Sequence, residues 1–251
     1  MLLTPLRGDP RAPLTRANPL AKLGAAATLM FVLFLSVDPV TPALLLPAIA
    51  VAAGLSGIRP VALLGRTWPL FIAATSASVV NGLFGSGGPS LLGGLAIGLR
   101  LIAIALAGVV AFITIDPTDL ADSLMQHLRA PPRFAVGALA AFRLLPIFAS
   151  EWETIGLARR ARGIDDRSSW LRRAVSFRER SCTLLVAAIR RGVRLALAMD
   201  ARGFASMTCR TIARPQPFTG LDRALLGSSF MLAAGTVWLG IALGTWRGLL
   251  R

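Results

Sequence analysis

The chain is poor in charge, in lysine, in histidine and in cysteine. Charged residues fill 16% of its 251 positions, against roughly 25% in a typical soluble domain. Lys22 is the sole lysine and His127 the sole histidine. Each shortage excludes something. No G-x-x-x-x-G-K-[ST] stretch occurs, so the chain carries no Walker-type phosphate cradle of its own. Cys182 and Cys209 are too far apart for a C-x-x-C pair, and a cytoplasmic setting would keep them reduced. His127 stands alone and reads as a surface or packing residue. Neither a nucleophile elbow nor a metal-ligand cluster is present in the sequence.

What the chain has is apolar length. Hydrophobic residues reach 55%, and mean hydropathy is +0.66. The runs 20–37, 40–58, 67–84, 91–115 and 224–246 carry no charge except Lys22 and Arg100. A bilayer core takes about 20 apolar residues per helix, and lipid offers the backbone no water to bond. The expected fold is an all-α integral membrane protein with about five transmembrane helices and a charged domain outside the bilayer. A large soluble helical protein is the blander alternative. Arg7, Arg11, Arg16 and Lys22 before the first run resemble a signal peptide. No clean small-residue cleavage site follows, and a second apolar run starts at once, so an uncleaved first span is expected.

Charge sets the expected orientation. The 36–42 and 85–90 turns hold no arginine or lysine, whereas Arg59 and Arg66 flank the turn between them. Loops rich in basic residues stay in the cytoplasm. The expected organisation is a cytoplasmic segment over 1–19, four transmembrane helices over 20–115, a cytoplasmic domain over 116–222, and a last transmembrane helix with its tail over 223–251.

That cytoplasmic stretch is strongly basic. Eighteen arginines fall between Arg129 and Arg223, against seven acids. A nucleic-acid footprint is one reading, but no such motif and no interleaved aromatics accompany it. Anionic lipid headgroups and an acidic protein partner are the others. Asp116-Pro117-Thr118-Asp119 reads as a helix start, with Asp116 as cap, Pro117 at the first position and Asp119 at the positive end of the dipole. Asp116, Asp119 and Asp122 also recur every third residue, which would suit a metal if a second acidic cluster existed. Residues 134–157 are largely apolar and either dip into the membrane or lie against its inner face, with Pro146 expected to bend them. Residues 183–199 form an amphipathic pattern. Leu185, Ala188, Ile189, Gly192, Val193, Ala196 and Met199 share one face, and Arg190, Arg191 and Arg194 lie opposite.

Each of these last two segments ends in Ala-Arg-Gly, at 161–163 and 201–203. The triplet is a good helix ending by itself. Alanine favours helix, arginine suits the negative end of the dipole, and glycine adopts the left-handed turn beyond it. Context adds more. The stretch Leu14-Thr15-Arg16-Ala17-Asn18-Pro19-Leu20-Ala21-Lys22-Leu23, the stretch from Thr114 to Leu120, Arg143-Leu144-Leu145-Pro146 with Glu151 and residues 158–163, and Ala198-Met199-Asp200-Ala201-Arg202-Gly203-Phe204 together resemble the transmembrane T component of energy-coupling factor (ECF) transporters. Asn18 replaces the family's usual Asp, and Asp200 its usual Glu.

The resemblance implies a non-catalytic subunit that binds neither ATP nor cargo. Two ATP-binding-cassette ATPase subunits, holding ATP and magnesium, would dock on the two tips, and a separate substrate-binding S component would capture a vitamin or metal ion. Ala161, Arg162 and Gly163, with Ala201, Arg202 and Gly203, would form the docking tips. Arg159, Arg160, Asp200 and Phe204 would support them. Two rival readings stay open: an integral-membrane enzyme acting on a phosphate-bearing lipid through Asp116, Asp119 and Asp122, and the permease of an ordinary ATP-binding-cassette importer, which would carry one docking motif. Nothing in the chain names the cargo.

Overall fold

The structure, a computed structural model, describes residues 12, 14–36, 38–57, 60–84, 90–164, 169–204, 212 and 214–244. Within these lie eight α-helices: α1 (Pro19–Leu35), α2 (Val40–Leu55), α3 (Pro60–Phe84), α4 (Leu91–Thr114), α5 (Pro117–His127), α6 (Pro132–Ala161), α7 (Trp170–Ala201) and α8 (Gly220–Ala242). The protein is all-α, as the absence of charge over long runs requires. Four helices have windows long and apolar enough to cross a membrane: Thr67–Phe84 in α3, α4, α6 and α8. Three of these coincide with expected spans. The fourth, α6, is the segment whose place the sequence left open. It runs unbroken for 30 residues through Pro146. The α1 and α2 helices are apolar but shorter, at 17 and 16 residues. At 1.5 Å per residue each is about 25 Å long, against about 36 Å for α4.

The chain divides into two compact units. One holds Met1–Arg129 with Gln216–Arg251, the other Ala130–Pro215. The first unit therefore holds α1 to α5 and α8. Its core is Leu33, Leu45, Ile49, Ala103, Ala107 and Val110, where α1, α2 and α4 meet. Small residues set the tightest packing, between α3 and α4. A side chain at Gly94 would lie 2.9 Å from the Gly82 Cα and collide with the Ser78 carbonyl. One at Gly98 would come within 3.0 Å of the Ser78 Cβ. Ser78 Oγ donates to the Gly94 carbonyl at 2.7 Å. In lipid, where hydrophobic burial between helices gains little, such close approach is what holds spans together. At Gly108 an added side chain would meet only the flexible Cε end of Met30 of α1, at 2.9 Å.

Charge inside this unit is paired with helix ends. Arg100 donates to the Phe34 carbonyl, in the last turn of α1, with its guanidinium 5.9 Å from the Phe34 ring centroid. The Lys22 side chain, counted in the sequence among the basic residues at the first span, is only 5% exposed. Its Nζ donates to the Thr15 carbonyl at 2.8 Å and to the Thr114 carbonyl, at the end of α4, at 2.9 Å. A cation at a helix C-terminus meets both the unpaired carbonyl and the negative end of the dipole. That geometry draws Lys22 inward.

The second unit is built on α6 and α7. Arg159 pairs with Glu179, and Arg191 Nη1 lies 2.9 Å from Glu151 Oε2. The Arg191 guanidinium also sits 5.6 Å from the Phe148 ring centroid. Trp152 meets Phe177 edge to face with centroids 5.3 Å apart. These contacts join the C-terminal half of α6 to the middle of α7. The apolar face expected on α7 is largely unburied: Leu185, Ile189, Gly192, Val193 and Ala196 are exposed, and Ala188 and Met199 are half-buried.

Candidate functional site

The two Ala-Arg-Gly triplets end their helices in the same way, bond for bond. In α6, Ala161 is the last helical residue and Arg162 the C-cap at φ −85°, ψ 0°. Gly163 follows at φ +69°. Its N–H donates to the Arg160 carbonyl at 3.0 Å, and the Ile164 N–H donates to the Arg159 carbonyl at 3.1 Å. In α7, Ala201 ends the helix and Arg202 caps it at φ −85°, ψ 9°. Gly203 follows at φ +75°. Its N–H donates to the Asp200 carbonyl at 2.9 Å, and the Phe204 N–H to the Met199 carbonyl at 3.1 Å. Both are Schellman endings, the paired 6→1 and 5→2 bonds that a left-handed glycine permits. The glycine is needed because any other L-residue in that conformation costs roughly 1–2 kcal/mol.

The consequence is where the arginines point. Arg162 and Arg202 are exposed, as are Ala161 and Ala201 before them. Neither arginine side chain has a hydrogen-bond or ion-pair partner among the described residues. Each tip thus offers a planar fork of donors beyond a narrow alanine step, with the chain turning sharply away.

The residues expected to support the tips divide. Arg159 faces inward, its side chain 17% exposed and paired with Glu179 of α7. Arg160 is exposed, with its Nε 3.3 Å from the Gly156 carbonyl one turn back. Asp200 is exposed beside the second tip, and Phe204 is half-buried. The tips themselves are well separated. Arg162 lies three residues beyond Arg159, and Arg202 lies 23 residues beyond Glu179, its partner. At 1.5 Å per residue that second span is about 35 Å.

The aspartates of the rival reading have other work. Asp116 caps α5, accepting from the Thr118 N–H at 2.8 Å, and Pro117 opens the helix. Asp119 Oδ1 accepts from Gln216 Nε2 at 3.2 Å. Among the described residues no group of three or more His, Cys, Asp or Glu could hold a metal. Cys182 is a free, exposed thiol, while Cys209 lies outside the described residues.

Comparison with known proteins decides the family. The cobalt transport protein family, CbiQ, matches residues 10–211, a stretch that contains both tips and all of α1 to α7. The chain belongs to this family. It is similar to the energy-coupling factor transporter transmembrane protein EcfT of Brevibacillus brevis, at 28% identity over 93% of this chain and 94% of that one. The protein of that name from Limosilactobacillus fermentum is 29% identical over 76% of this chain and 79% of its own. That of Heliobacterium modesticaldum is 34% identical over half of each. The CbiQ family member described here is accordingly a multi-pass membrane component of a transporter and not an enzyme.

Sequence reasoning missed one cluster in this protein. Gln216, Asp119, Gln126, His127 and Asn18 gather where α5 ends and α8 begins. No local pattern announces it, because its members lie about ninety to two hundred residues apart.

Proposed function

We propose that this chain is the coupling subunit of an energy-coupling factor importer in a prokaryotic plasma membrane, with its N-terminus and second unit in the cytoplasm. Two ATPase subunits dock on the tips, one on Arg162 and one on Arg202. ATP and magnesium are bound by those partners. A separate S component holds the cargo, a vitamin or a metal ion, and α6 and α7 carry ATP-driven motion to it.

The observation that carries this reading is the pair of identical, exposed helix endings. One such ending is ordinary helix chemistry. Two, on different helices and each holding an arginine without a partner among the described residues, suit two copies of one kind of receptor. An arginine fork can satisfy several carboxylate or carbonyl acceptors in one groove. Alanine keeps the neck before it slim. The apolar stripe of α7, left exposed at Leu185, Ile189 and Val193, gives a membrane-embedded partner a surface to press on. The single-motif permease reading accounts for one tip and leaves the other unused.

Affinity purification tests the proposal. The tagged chain is extracted in mild detergent from its native host and the co-purifying proteins are identified. Two ATPase subunits and a small hydrophobic protein are the expected companions. The double variant Arg162→Glu, Arg202→Glu should lose the ATPases and keep its own fold. Recovery of wild type without any ATPase, under conditions that keep other transporter complexes whole, overturns the proposal.

A further inference from the structure

The chain passes from the first unit to the second after Arg129 and comes back at Gln216. What happens at those two crossings decides whether the second unit swings freely or moves as one piece with the spans.

The crossings are tied to each other. The Gln216 N–H donates to Gln126 Oε1 at 2.9 Å, and its side-chain Nε2 donates to Asp119 Oδ1 at 3.2 Å. The Gln216 carbonyl lies 2.8 Å from His127 Nε2, which donates to it, and 3.3 Å from Asn18 Nδ2. One residue thus engages its N–H, its carbonyl and its side chain. Three of its four partners lie on α5, the helix the chain has just left. Two residues on, the Phe218 ring meets the His127 ring edge to face at 4.8 Å.

The clasp is anchored in turn. Asn18 caps α1, and its N–H donates to Asp222 Oδ1 at 2.6 Å. Asp222 is fully buried and also accepts from the Thr219 N–H and hydroxyl at 2.6 and 2.7 Å, closing the capping box that starts α8. The outgoing crossing is stiff as well. Arg129 is held at φ +52°, a conformation that persists in a non-glycine residue only when its surroundings fix it. Pro131 and Pro132 follow, each with φ locked by its ring.

We propose that Gln216 is a positioning residue. It staples the outgoing and returning strands together, so that the second unit moves against the spans as one lever and not as a loop hung on two loose strings. The staple's part in transport rests on the coupling reading above. Its mechanical part does not, and can be measured on the full chain alone in lipid nanodiscs.

The measurement is a spin-label distance distribution in a Cys182→Ser, Cys209→Ser background. One label pair spans the units, at Met231→Cys on α8 and Arg190→Cys on α7, both exposed. Two control pairs sit within units: Phe31→Cys with Phe112→Cys, and Leu157→Cys with Val186→Cys. Gln216→Ala and Gln126→Ala should at least double the width of the between-unit distribution and leave both controls unchanged. Gln126→Glu, which keeps an acceptor for the Gln216 N–H, should retain the wild-type width. The proposal is overturned by wild-type width in Gln126→Ala with unchanged controls, or by a wild-type distribution already as broad as the variants'. If Gln216→Ala disturbs a control pair, Gln126→Ala alone decides. None of these outcomes bears on whether ATPases bind, which the affinity purification judges separately.

Discussion

An exposed arginine with no partner among the described residues contributes little to folding. Arg162→Glu and Arg202→Glu should therefore each leave the melting temperature of the purified chain within about 2 °C of wild type, since exposed substitutions usually shift stability by less than about 0.5 kcal/mol. Native mass spectrometry of the isolated complex should meanwhile show one ATPase lost per single variant. If each single variant strips both ATPases, the tips are not independent sites. Lys22 is the contrasting case. Lys22→Met leaves the buried Thr114 carbonyl and the half-buried Thr15 carbonyl without their donor, and an orphaned buried group costs about 1–3 kcal/mol. Thermal unfolding in detergent should show a drop of several degrees, with the ATPases still bound to whatever remains folded. The residue scale also shows what the sequence could reveal. Asn18 before Pro19, Asp116 before Pro117, and Gly163 and Gly203 are local signals, because a cap or a left-handed turn is chosen by its immediate neighbours. Lys22 and Gln216 were opaque, because their partners at 114 and at 119, 126 and 127 are brought near only by the packing of whole helices.

At the scale of elements, two different kinds of adhesion hold the units. The α3–α4 pair depends on glycine. Gly94→Leu has no room against Ser78 and Gly82, and forcing a large side chain into such a contact costs about 1–3 kcal/mol or more. A cysteine pair placed across α3 and α4 should lose its cross-linking yield in that variant, while one across α6 and α7 keeps it. The α6–α7 pair depends instead on ions and rings at its surface. A double-mutant cycle on Arg159 and Glu179 should return a coupling of about 0.5–1 kcal/mol, shrinking in high salt. A coupling above about 3 kcal/mol would mean the pair is far less hydrated than its half-exposed carboxylate implies. The amphipathic period of α7 was plain in the sequence, but which neighbour covers its apolar face was not. Periodicity assigns a stripe, and only packing assigns what lies against it. Pro146 was expected to bend α6, and the helix continues through it because one proline removes a single N–H from a 30-residue helix.

At the scale of the whole molecule, the proposed orientation rests on the positive-inside pattern, and labelling tests it. In intact cells a Leu91→Cys variant, at the start of α4, should react with a membrane-impermeant maleimide. Arg202→Cys should react only after permeabilisation. Both belong in the background that lacks Cys182 and Cys209. The reverse pattern would put the tips on the wrong side of the membrane for any cytoplasmic ATPase. Each of the five apolar runs became a helix, but α1 and α2 are shorter than the others, and α6, which the sequence left open, is also long and apolar enough to cross a membrane. The division into units was less legible, since α5 lies within the charged stretch of the sequence yet belongs with the spans.

The place where α6 and α7 touch has a consequence in leverage. Their side-chain contacts centre near Glu153 on α6 and Leu184 on α7. From there Arg162 is about 14 Å along its helix and Arg202 about 27 Å along its own, at 1.5 Å per residue. The two arms of this seesaw are unequal. On these same arm lengths a turn of 10° about the contact carries the α7 tip about 5 Å and the α6 tip about 2 Å. On the proposed docking, two ATPases that move their tips by the same amount would turn α7 through about half the angle through which they turn α6, so identical endings would give unequal strokes.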